Sequence, residues 1–259
     1  MAIILRSRRE VELMRRAGKV VADVLLKLKD CAAAGVTTAD LNRIAEDMTL
    51  KAGATALFKG VKNPYGQKVF PAAICASLNE QVVHGMPSEK VVLRDGDIIS
   101  IDFGAKLNGY CGDAAVTLAI GKISDAKQRL MDATKRMLDI AIENSKPGVK
   151  WSSVAGEMQR HAESAGFSVV TDFVGHGIGA EMHEEPKVPN FVNAELLRHD
   201  ILLQEGMILA VEPMVNMGSS SVVTLKDGWT VVTRDGKPSA HFEHTMAVTA
   251  GGCEVLTLS

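Results

Sequence analysis

Two carboxylates end two similar apolar segments of the chain. Residues 91–102 are echoed at an offset of 110 by residues 201–212, and the two segments finish on Asp102 and Glu212. Each copy has the pattern of an acidic-Gly turn that leads into a buried strand. An ionised carboxylate at the inner end of an apolar strand is costly unless a cation or a donor compensates it. We therefore expect the two acids to share a charge partner between two halves of the chain, with a metal ion as the natural candidate.

A tight hairpin adds a second acid to the first half. The dipeptide at residues 108–109 is Asn-Gly, a strong signal for a two-residue turn. If its neighbours pair, Asp113 lies opposite Gly104 and on the same sheet face as Asp102, one diagonal step away. Diagonal neighbours are roughly 7 Å apart, so the two Asp side chains could hold one cation between them. The alternative is a pair of solvent-facing acids at a polar sheet edge, which the apolar residues on either side of both acids disfavour.

The second half supplies Glu212, which Pro213 follows directly, and Glu243 in a predicted strand over residues 239–246. A proline there ends or bulges the strand of Glu212. Four crowded carboxylates cannot all ionise without cations, because like charges at close range raise each other's pKa. Two divalent ions would balance the charge. A cluster of oxygen ligands with one imidazole favours Mn, Fe(II), Co or Zn in a paired site.

Three histidines lie in segments that could contribute to such a site. His176 is surrounded by three glycines within residues 175–179, which makes a helix implausible, so we predict a loop or an edge strand there. His183 begins a His-Glu-Glu-Pro segment, and His84 precedes a glycine at a predicted strand end. A phosphate-binding loop is disfavoured, since neither GxGxxG nor Gly-Lys-Ser/Thr occurs there. A purely structural role stays open for each histidine.

The elements that must position these residues follow a repeated order of two helices and then strands. Ser7 with Glu10 and Thr37 with Asp40 predict capping boxes, and Ser124 opens a third helical stretch. We predict an α+β fold made of duplicated halves, in which an antiparallel sheet is covered by helices on one face and the polar site lies where the halves meet. The chain would form a single domain over 1–259, with halves of about 1–120 and 121–259. The alternative is that two unrelated buried strands merely look alike.

Composition limits the class of protein. The chain of 259 residues carries a net charge of −2 with 46% hydrophobic and 23% charged residues, which is ordinary for a globular protein and does not favour binding to nucleic acid or an anionic membrane. Its four cysteines form no CxxC pair, which fits a reducing cytoplasm. The apolar run before Arg6 is too short for a signal peptide. We expect a soluble cytoplasmic protein.

Taken together, these motifs resemble those of the methionine aminopeptidases, metal-dependent exopeptidases with the duplicated pita-bread fold. The likeness covers nearly the whole chain and rests on six segments: residues 79–87, the spacing of Asp102 and Asp113, residues 175–179, residues 183–186, Glu212-Pro213 and residues 242–245. The resemblance implies that two divalent metal ions are bound, with Asp113 and Glu243 bridging them. The five implied ligands are Asp102, Asp113, His176, Glu212 and Glu243.

The resemblance also implies roles in catalysis and in substrate binding. Glu212 would shuttle a proton, His183 would polarise the scissile carbonyl, and His84 would contact the amide nitrogen or stabilise the tetrahedral intermediate. An apolar pocket for the methionine side chain would be lined by Phe70, Cys75, Met182 and Trp229, together with His84 and His183. The chain departs from the family pattern at Pro64, Gln67 and Met182, where other residue types are usual. The simpler interpretation of Phe70 and Trp229 is that they are core aromatics.

Two features of the chain predict a subtype within this family. The chain has no cysteine/histidine extension before Ser7 and no helical insertion between His183 and Glu212, as in the compact bacterial-type, type I enzymes. Such an enzyme would act as a monomer on N-terminal methionine peptides and nascent chains, with the ribosome as a further candidate partner. The closest rival is a proline-directed aminopeptidase or prolidase of the same fold. A second rival is a catalytically silent homologue that binds peptides, and a two-metal phosphohydrolase is remote.

Overall fold

The computed structural model describes residues 3–63 and 69–258. Within them, four long helices and one short helix pack against antiparallel strands. The helices are α1 (Arg8–Cys31), α2 (Thr38–Lys51), α3 (Asp125–Asn144), α4 (Trp151–Ser164) and α5 (Ala194–Arg198). The strands are β1 (Thr55–Ala56), β2 (Cys75–Leu78), β3 (Gln81–Val83), β4 (Ile98–Leu107), β5 (Tyr110–Ala119), β6 (Ser168–Val169), β7 (Gly175–Gly177), β8 (Glu184–Val188), β9 (Ile208–Val211), β10 (Met214–Asn216), β11 (Val222–Thr224), β12 (Val231–Thr233), β13 (Ser239–His241), β14 (Glu243–Thr249) and β15 (Gly252–Val255).

The helix starts follow the predicted caps. Ser7 and Glu10 form a full capping box at the start of α1, and Thr37 and Asp40 form another at α2. Ser124 caps α3 by accepting a hydrogen bond from the backbone of Lys127 at 3.3 Å. These side chains satisfy amide groups that the first helical turn leaves without a partner. The predicted helix starts at these three positions are therefore confirmed.

One sheet runs through both halves of the chain. Its strand order is β1-β4-β5-β14-β9-β7-β8, with β15 paired to β14 and β2 paired to β4. The β4–β5 hairpin has the predicted register, in which Gly104 pairs with Asp113. Its turn residues Asn108 and Gly109 have φ angles of 51° and 86°, as a tight hairpin turn with two left-handed residues requires.

Helices and acids occupy opposite faces of this sheet. Ile101 and Phe103 of β4 point into a core shared with α1 and α2, while Leu209 and Val211 of β9 point into a core shared with α3 and α4. Because side chains alternate along a strand, Asp102 between the first two faces the other way. The predicted fold, an antiparallel sheet with helices on one face, is confirmed.

Helix α1 approaches the sheet at backbone distance. A Cβ atom added to Gly112 would lie 2.8 Å from the amide nitrogen of Gly18, closer than real Cβ atoms come to other atoms. Glycine at position 112 therefore lets α1 lie directly on β5, the strand that carries Asp113, while Gly18 leaves room for the backbone of Leu256.

The two halves repeat one another in hydrogen bonding as well as in sequence. Gly96 and Gly206, which are equivalent at the offset of 110, have φ angles of 91° and 92°. Each donates a 2.9 Å hydrogen bond within its own half, Gly96 to the carbonyl of Ile120 directly after β5 and Gly206 to the carbonyl of Val248 in β14. The duplication is thus confirmed, whereas the boundary of the halves near residue 120 within one domain stays a prediction.

The predicted continuous strand over residues 239–246 is wrong, because it divides into two strands at Phe242. The first part, β13, pairs with β10 in a separate three-stranded sheet, and the second part, β14, pairs with β9 and β5. The neighbouring strand is interrupted at the same position. Pro213 separates β9 from β10, and its carbonyl oxygen accepts a hydrogen bond from the backbone amide of Phe242. Both strands change sheets together at this point.

All four cysteines are free thiols, as their isolated spacing predicts. Among the described residues, no helix has the length and apolar character needed to cross a membrane.

Candidate active site

The four acids meet where the strands of the two halves adjoin. Asp102 and Asp113 lie on the paired strands β4 and β5, Glu243 begins β14 beside β5, and Glu212 directly follows β9 on the other side of β14. The hydroxyl of Thr245 fixes the backbone of Asp113 by accepting from its amide at 2.9 Å and donating to its carbonyl at 2.8 Å. The carboxylates are therefore held by the sheet itself.

Asp113 and Glu243 are buried, Asp102 and Glu212 are half-buried, and several of their oxygens lack hydrogen-bond partners. Oδ1 of Asp102, Oδ1 of Asp113 and Oε1 of Glu243 have none within the described chain. Burial raises the pKa of all four carboxyl groups, and the neighbouring acids raise the pKa of Asp102, Glu212 and Glu243 further. An apolar core offers no reason to retain such a cluster, whereas bound cations would supply the missing partners.

His176 presents a neutral ring nitrogen to the acids. Its Nδ1 lies 2.9 Å from the carbonyl oxygen of Gly177, and its Nε2 lies 3.6 Å from Oε1 of Glu212. A proton on Nδ1, donated to that carbonyl, leaves the Nε2 lone pair free for a ligand. Burial, and next the nearby His183, lower the pKa of His176 to about 4, so the ring is neutral near pH 7.

The placement of His176 differs in part from the sequence prediction. It lies on a strand, β7, but this strand has neighbours on both sides, β9 and β8, and is not an edge. The flanking glycines carry no side chains, so the backbones of both neighbours can approach. The edge-strand prediction is wrong for this reason.

A divalent metal ion fits these residues. Single ligand atoms from Asp113, His176 and Glu243 all lie within 4.8 Å of one another. A donor set of carboxylate oxygens and one neutral imidazole suits first-row divalent metals such as Mn, Fe, Co and Zn. Unpartnered oxygens of Asp102, Asp113 and Glu243 would be available as ligands to such an ion.

The acids form one end of a cavity of about 430 Å³ whose other walls are mainly apolar. Phe70 and Trp229 pack edge to face in its wall, with ring centroids 5.3 Å apart. Trp229 is held by a turn in which Oδ1 of Asp227 accepts from its backbone amide at 2.8 Å. The structure brings all eleven predicted site residues to this cavity: Phe70, Cys75, His84, Asp102, Asp113, His176, Met182, His183, Glu212, Trp229 and Glu243.

His84 is held in an unusual conformation beside the aromatic wall. Its φ angle is 59°, in the left-handed region, which non-glycine residues occupy rarely and often at functional sites. Its ring packs edge to face on Trp229 at 6.2 Å and on Phe173 at 5.6 Å. Burial lowers the pKa of His84 to about 4, with a smaller contribution from His183.

His183 lines the cavity beside His176. Its ring centroid lies 4.4 Å from that of His176, and burial lowers its pKa. It belongs to the irregular segment 179–183 between β7 and β8. The two candidate catalytic histidines, His84 directly after β3 and His183 directly before β8, thus belong to separate segments that both line the cavity.

The sequence interpretation missed four residues of the site. His241 is buried, and its Nε2, which has no hydrogen-bond partner in the described chain, lies 3.7 Å from Oε2 of Glu212. Its position two residues before Glu243 is the signal that could have revealed it, because alternate strand residues share a face. Phe58, Val61 and Lys62 also line the cavity, from a loop without such a pattern. Pro64 and Gln67, where the chain departs from the family pattern, lie outside the described residues.

Comparison with known proteins agrees with this geometry. The model of metallopeptidase family M24 matches residues 12–250. A methionine aminopeptidase from Clostridium perfringens is 48% identical over 256 residues, which cover 99% of each chain. A crystal structure of the methionine aminopeptidase from Thermotoga maritima superposes with a TM-score of 0.93 at 40% identity and covers both chains completely.

Proline-specific enzymes share the fold at greater distance. A Xaa-Pro dipeptidase from Bacillus anthracis has a TM-score of 0.75 at 22% identity, and the match covers 98% of this chain but 62% of the dipeptidase. That likeness concerns the fold alone. From the family match over most of its length and the full-length likeness to methionine aminopeptidases, we conclude that the chain belongs to metallopeptidase family M24.

Proposed function

We propose that this chain removes methionine from the N-terminus of peptides and nascent proteins by metal-dependent hydrolysis, as a methionine aminopeptidase of the compact bacterial type. One observation carries the proposal: a single cavity joins a cluster of acids and histidines to an apolar wall. Relatives of the same length with 38–48% identity are methionine aminopeptidases, which supports this choice within the family.

The proposed cofactor is a pair of divalent ions, drawn from Mn, Fe(II), Co and Zn. Asp102, Asp113, His176, Glu212 and Glu243 would hold them, with Asp113 and Glu243 shared between the two. When bound, such ions supply Lewis acidity that lowers the pKa of a water molecule and polarises a carbonyl group. The unpartnered carboxylate oxygens and the neutral ring of His176 support this assignment.

The protein's own side chains then move protons and stabilise charge. Glu212 would take the proton of the attacking water and pass it to the leaving amine, since its carboxyl group lines the cavity among the proposed metal ligands. His183 would donate a hydrogen bond to the carbonyl oxygen as negative charge develops there. His84, which packs beside Trp229 in the cavity wall, would contact the nitrogen of the scissile amide.

The apolar wall would select the side chain. Phe70, Cys75, Met182 and Trp229 would surround the methionine, whose unbranched thioether fits irregular apolar space and contacts aromatic rings well. We further propose that the chain acts as a monomer in the cytoplasm, where initiator methionines are exposed on chains leaving the ribosome.

A peptide assay tests the proposed function. Metal-free protein is supplied in turn with Mn, Fe(II), Co or Zn, and the release of free methionine from Met-Ala-Ser is measured. We expect release with at least one metal, none from N-acetyl-Met-Ala-Ser, and little cleavage of Ala-Pro-Ser. Preferential cleavage before proline would favour the prolidase-like alternative, and inactivity with every metal would favour the silent peptide-binding homologue.

A further inference from the structure

The segment that carries Met182 and His183 has no regular secondary structure of its own. Residues 179–183 form a series of bends between β7 and β8. Two hydrogen bonds tie its ends: the amide of Cys111 donates to the carbonyl of Gly179 at 2.8 Å, and the amide of Glu181 donates to Oε1 of Glu184 at 3.1 Å. The second bond closes a turn around Met182 and His183 and so links the position of the turn to that of Glu184.

Glu184 is itself held by Arg6, from the other end of the chain. Nη2 of Arg6 donates to Oε2 of Glu184, the oxygen that the turn does not use. The two side chains are only 7% and 13% exposed. A buried ion pair of this kind adds little net stability, because desolvation offsets the attraction, and in some proteins such pairs instead specify geometry. The pair is therefore better explained by positioning than by stability.

The guanidinium of Arg6 also lies directly on the backbone of the segment. A Cβ atom at Gly179 would lie 2.6 Å from Cζ of Arg6, so only glycine leaves room for this contact. On its other side, the guanidinium carbon is 5.9 Å from the ring centroid of Tyr110, and Nη1 is 3.4 Å from Oε1 of Glu10. Arg6 is thus enclosed by the segment, the start of α1 and the β4–β5 hairpin.

The backbone of Arg6 is fixed independently of its side chain. Its amide donates a 2.7 Å hydrogen bond to the carbonyl of Gly206, in the turn that leads into β9 and Glu212. Ser7, the cap of α1, follows directly. Arg6 therefore connects two rigid elements to a segment that lacks regular structure.

We propose that Arg6 is a positioning residue, which acts through Glu184 to hold His183 in place at the cavity. Arg6 lines no part of the cavity and would touch neither substrate nor metal. The kinetic part of this inference rests on the proposed peptidase activity. Its structural part concerns only the place of the segment and can be measured without activity.

Removing the charge of Arg6 tests the kinetic part. Because small displacements of catalytic groups cost up to about 100-fold in rate, we expect Arg6→Gln to lower kcat on Met-Ala-Ser by about 10- to 100-fold. Manganese affinity, measured by calorimetry, should stay unchanged, since the five proposed ligands remain. The matched control is Arg15→Gln, which breaks an ion pair with Glu254 between side chains 38% and 44% exposed, and which we expect to leave kcat unchanged.

A double-mutant cycle distinguishes positioning from a general structural role. If Arg6 acts through His183, Arg6→Gln should lower kcat by less than about twofold in a His183→Ala background, because residues that act as a unit are not additive. Equal losses in both backgrounds would overturn the inference. Glu184→Gln keeps the acceptor for the amide of Glu181 but removes the charge, and it should reproduce the effect of Arg6→Gln if the latter variant folds poorly.

The position of the segment is read out by the methyl signal of Met182 in ¹³C-methyl NMR, assigned with Met182→Leu. We expect Arg6→Gln to shift or broaden this signal and Arg15→Gln to leave it unchanged, whether or not any peptide is cleaved. A responding signal in a protein that cleaves nothing would refute the proposed function alone. An unaffected signal together with an unaffected kcat would overturn the role of Arg6.

Discussion

At the scale of single residues, the chemistry of the site depends on acids placed where they are costly. Asp102, Asp113, Glu212 and Glu243 lie together in the interior of the site, where desolvation raises the pKa of all four and the neighbouring acids raise the pKa of Asp102, Glu212 and Glu243 further. The neighbouring rings of His176 and His84 are neutral near pH 7 and cannot balance the charge. Divalent cations would convert this destabilising cluster into a favourable one.

Removal of a shared acid should abolish both metal binding and hydrolysis. Asp113 offers an oxygen within 4.8 Å of the ligand atoms of His176 and Glu243, so Asp113→Ala removes the centre of the donor set. We expect no methionine release above background and no manganese bound in calorimetry. Glu243→Ala should behave alike, and an unchanged rate in either variant would contradict the two-metal site.

Removal of His84 should separate turnover from metal binding. His84 lines the cavity but belongs to the apolar wall and not to the donor set. Because one stabilising donor at a reacting group is typically worth about 100-fold or more, His84→Ala should lower kcat by about that factor. Manganese affinity measured on the same preparation should be unchanged, and loss of the metal would show that His84 has another role.

At the scale of elements, the sequence predicted those features that depend only on residues close together in the chain. The Asn108-Gly109 turn fixed the hairpin register, and therefore the face shared by Asp102 and Asp113. Contacts that depend on other parts of the chain could not be predicted. The division at Phe242 follows from the break at Pro213 in a neighbouring strand, and the place of Phe58 at the cavity follows from the packing of a loop.

The contact between α1 and β5 makes a prediction about packing. Gly112→Ala would place a Cβ atom 2.8 Å from the backbone of Gly18, so we expect a loss of about 1–3 kcal/mol in the free energy of unfolding. Gly251→Ala is the matched control, since nothing lies within 4 Å of its added Cβ atom. Urea denaturation measures both variants. Equal stability of the two would show that α1 can move away from β5 at no cost.

At the scale of the whole molecule, the site joins the two duplicated halves. Asp102 and Asp113 come from the first half, and His176, Glu212 and Glu243 come from the second. Neither half alone contains the full donor set. Metal binding should therefore stabilise the folded chain as a whole, because an ion that binds only the native state shifts the unfolding equilibrium.

The buried carboxyl group of Asp113 predicts that the stability of the metal-free protein depends on pH. Burial raises the pKa of Asp113 from 3.8 to about 7, so its ionisation opposes folding, and stability falls as pH rises between these values. Asp113→Asn removes this penalty. In thermal unfolding with a chelator, the variant should gain Tm over the unmodified protein as pH rises from about 5 to about 8. Added manganese should raise the Tm of the unmodified protein alone, and a constant difference between the two across this pH range would contradict the argument.

We propose above all that acids from both halves hold two divalent ions at the acid-lined end of the cavity. Anomalous diffraction from crystals of the protein grown with manganese tests it most directly. We predict two manganese peaks that share Asp113 and Glu243, with Asp102, His176 and Glu212 as the remaining protein ligands. Manganese found elsewhere in the molecule, or no peak among these five side chains, would contradict the account.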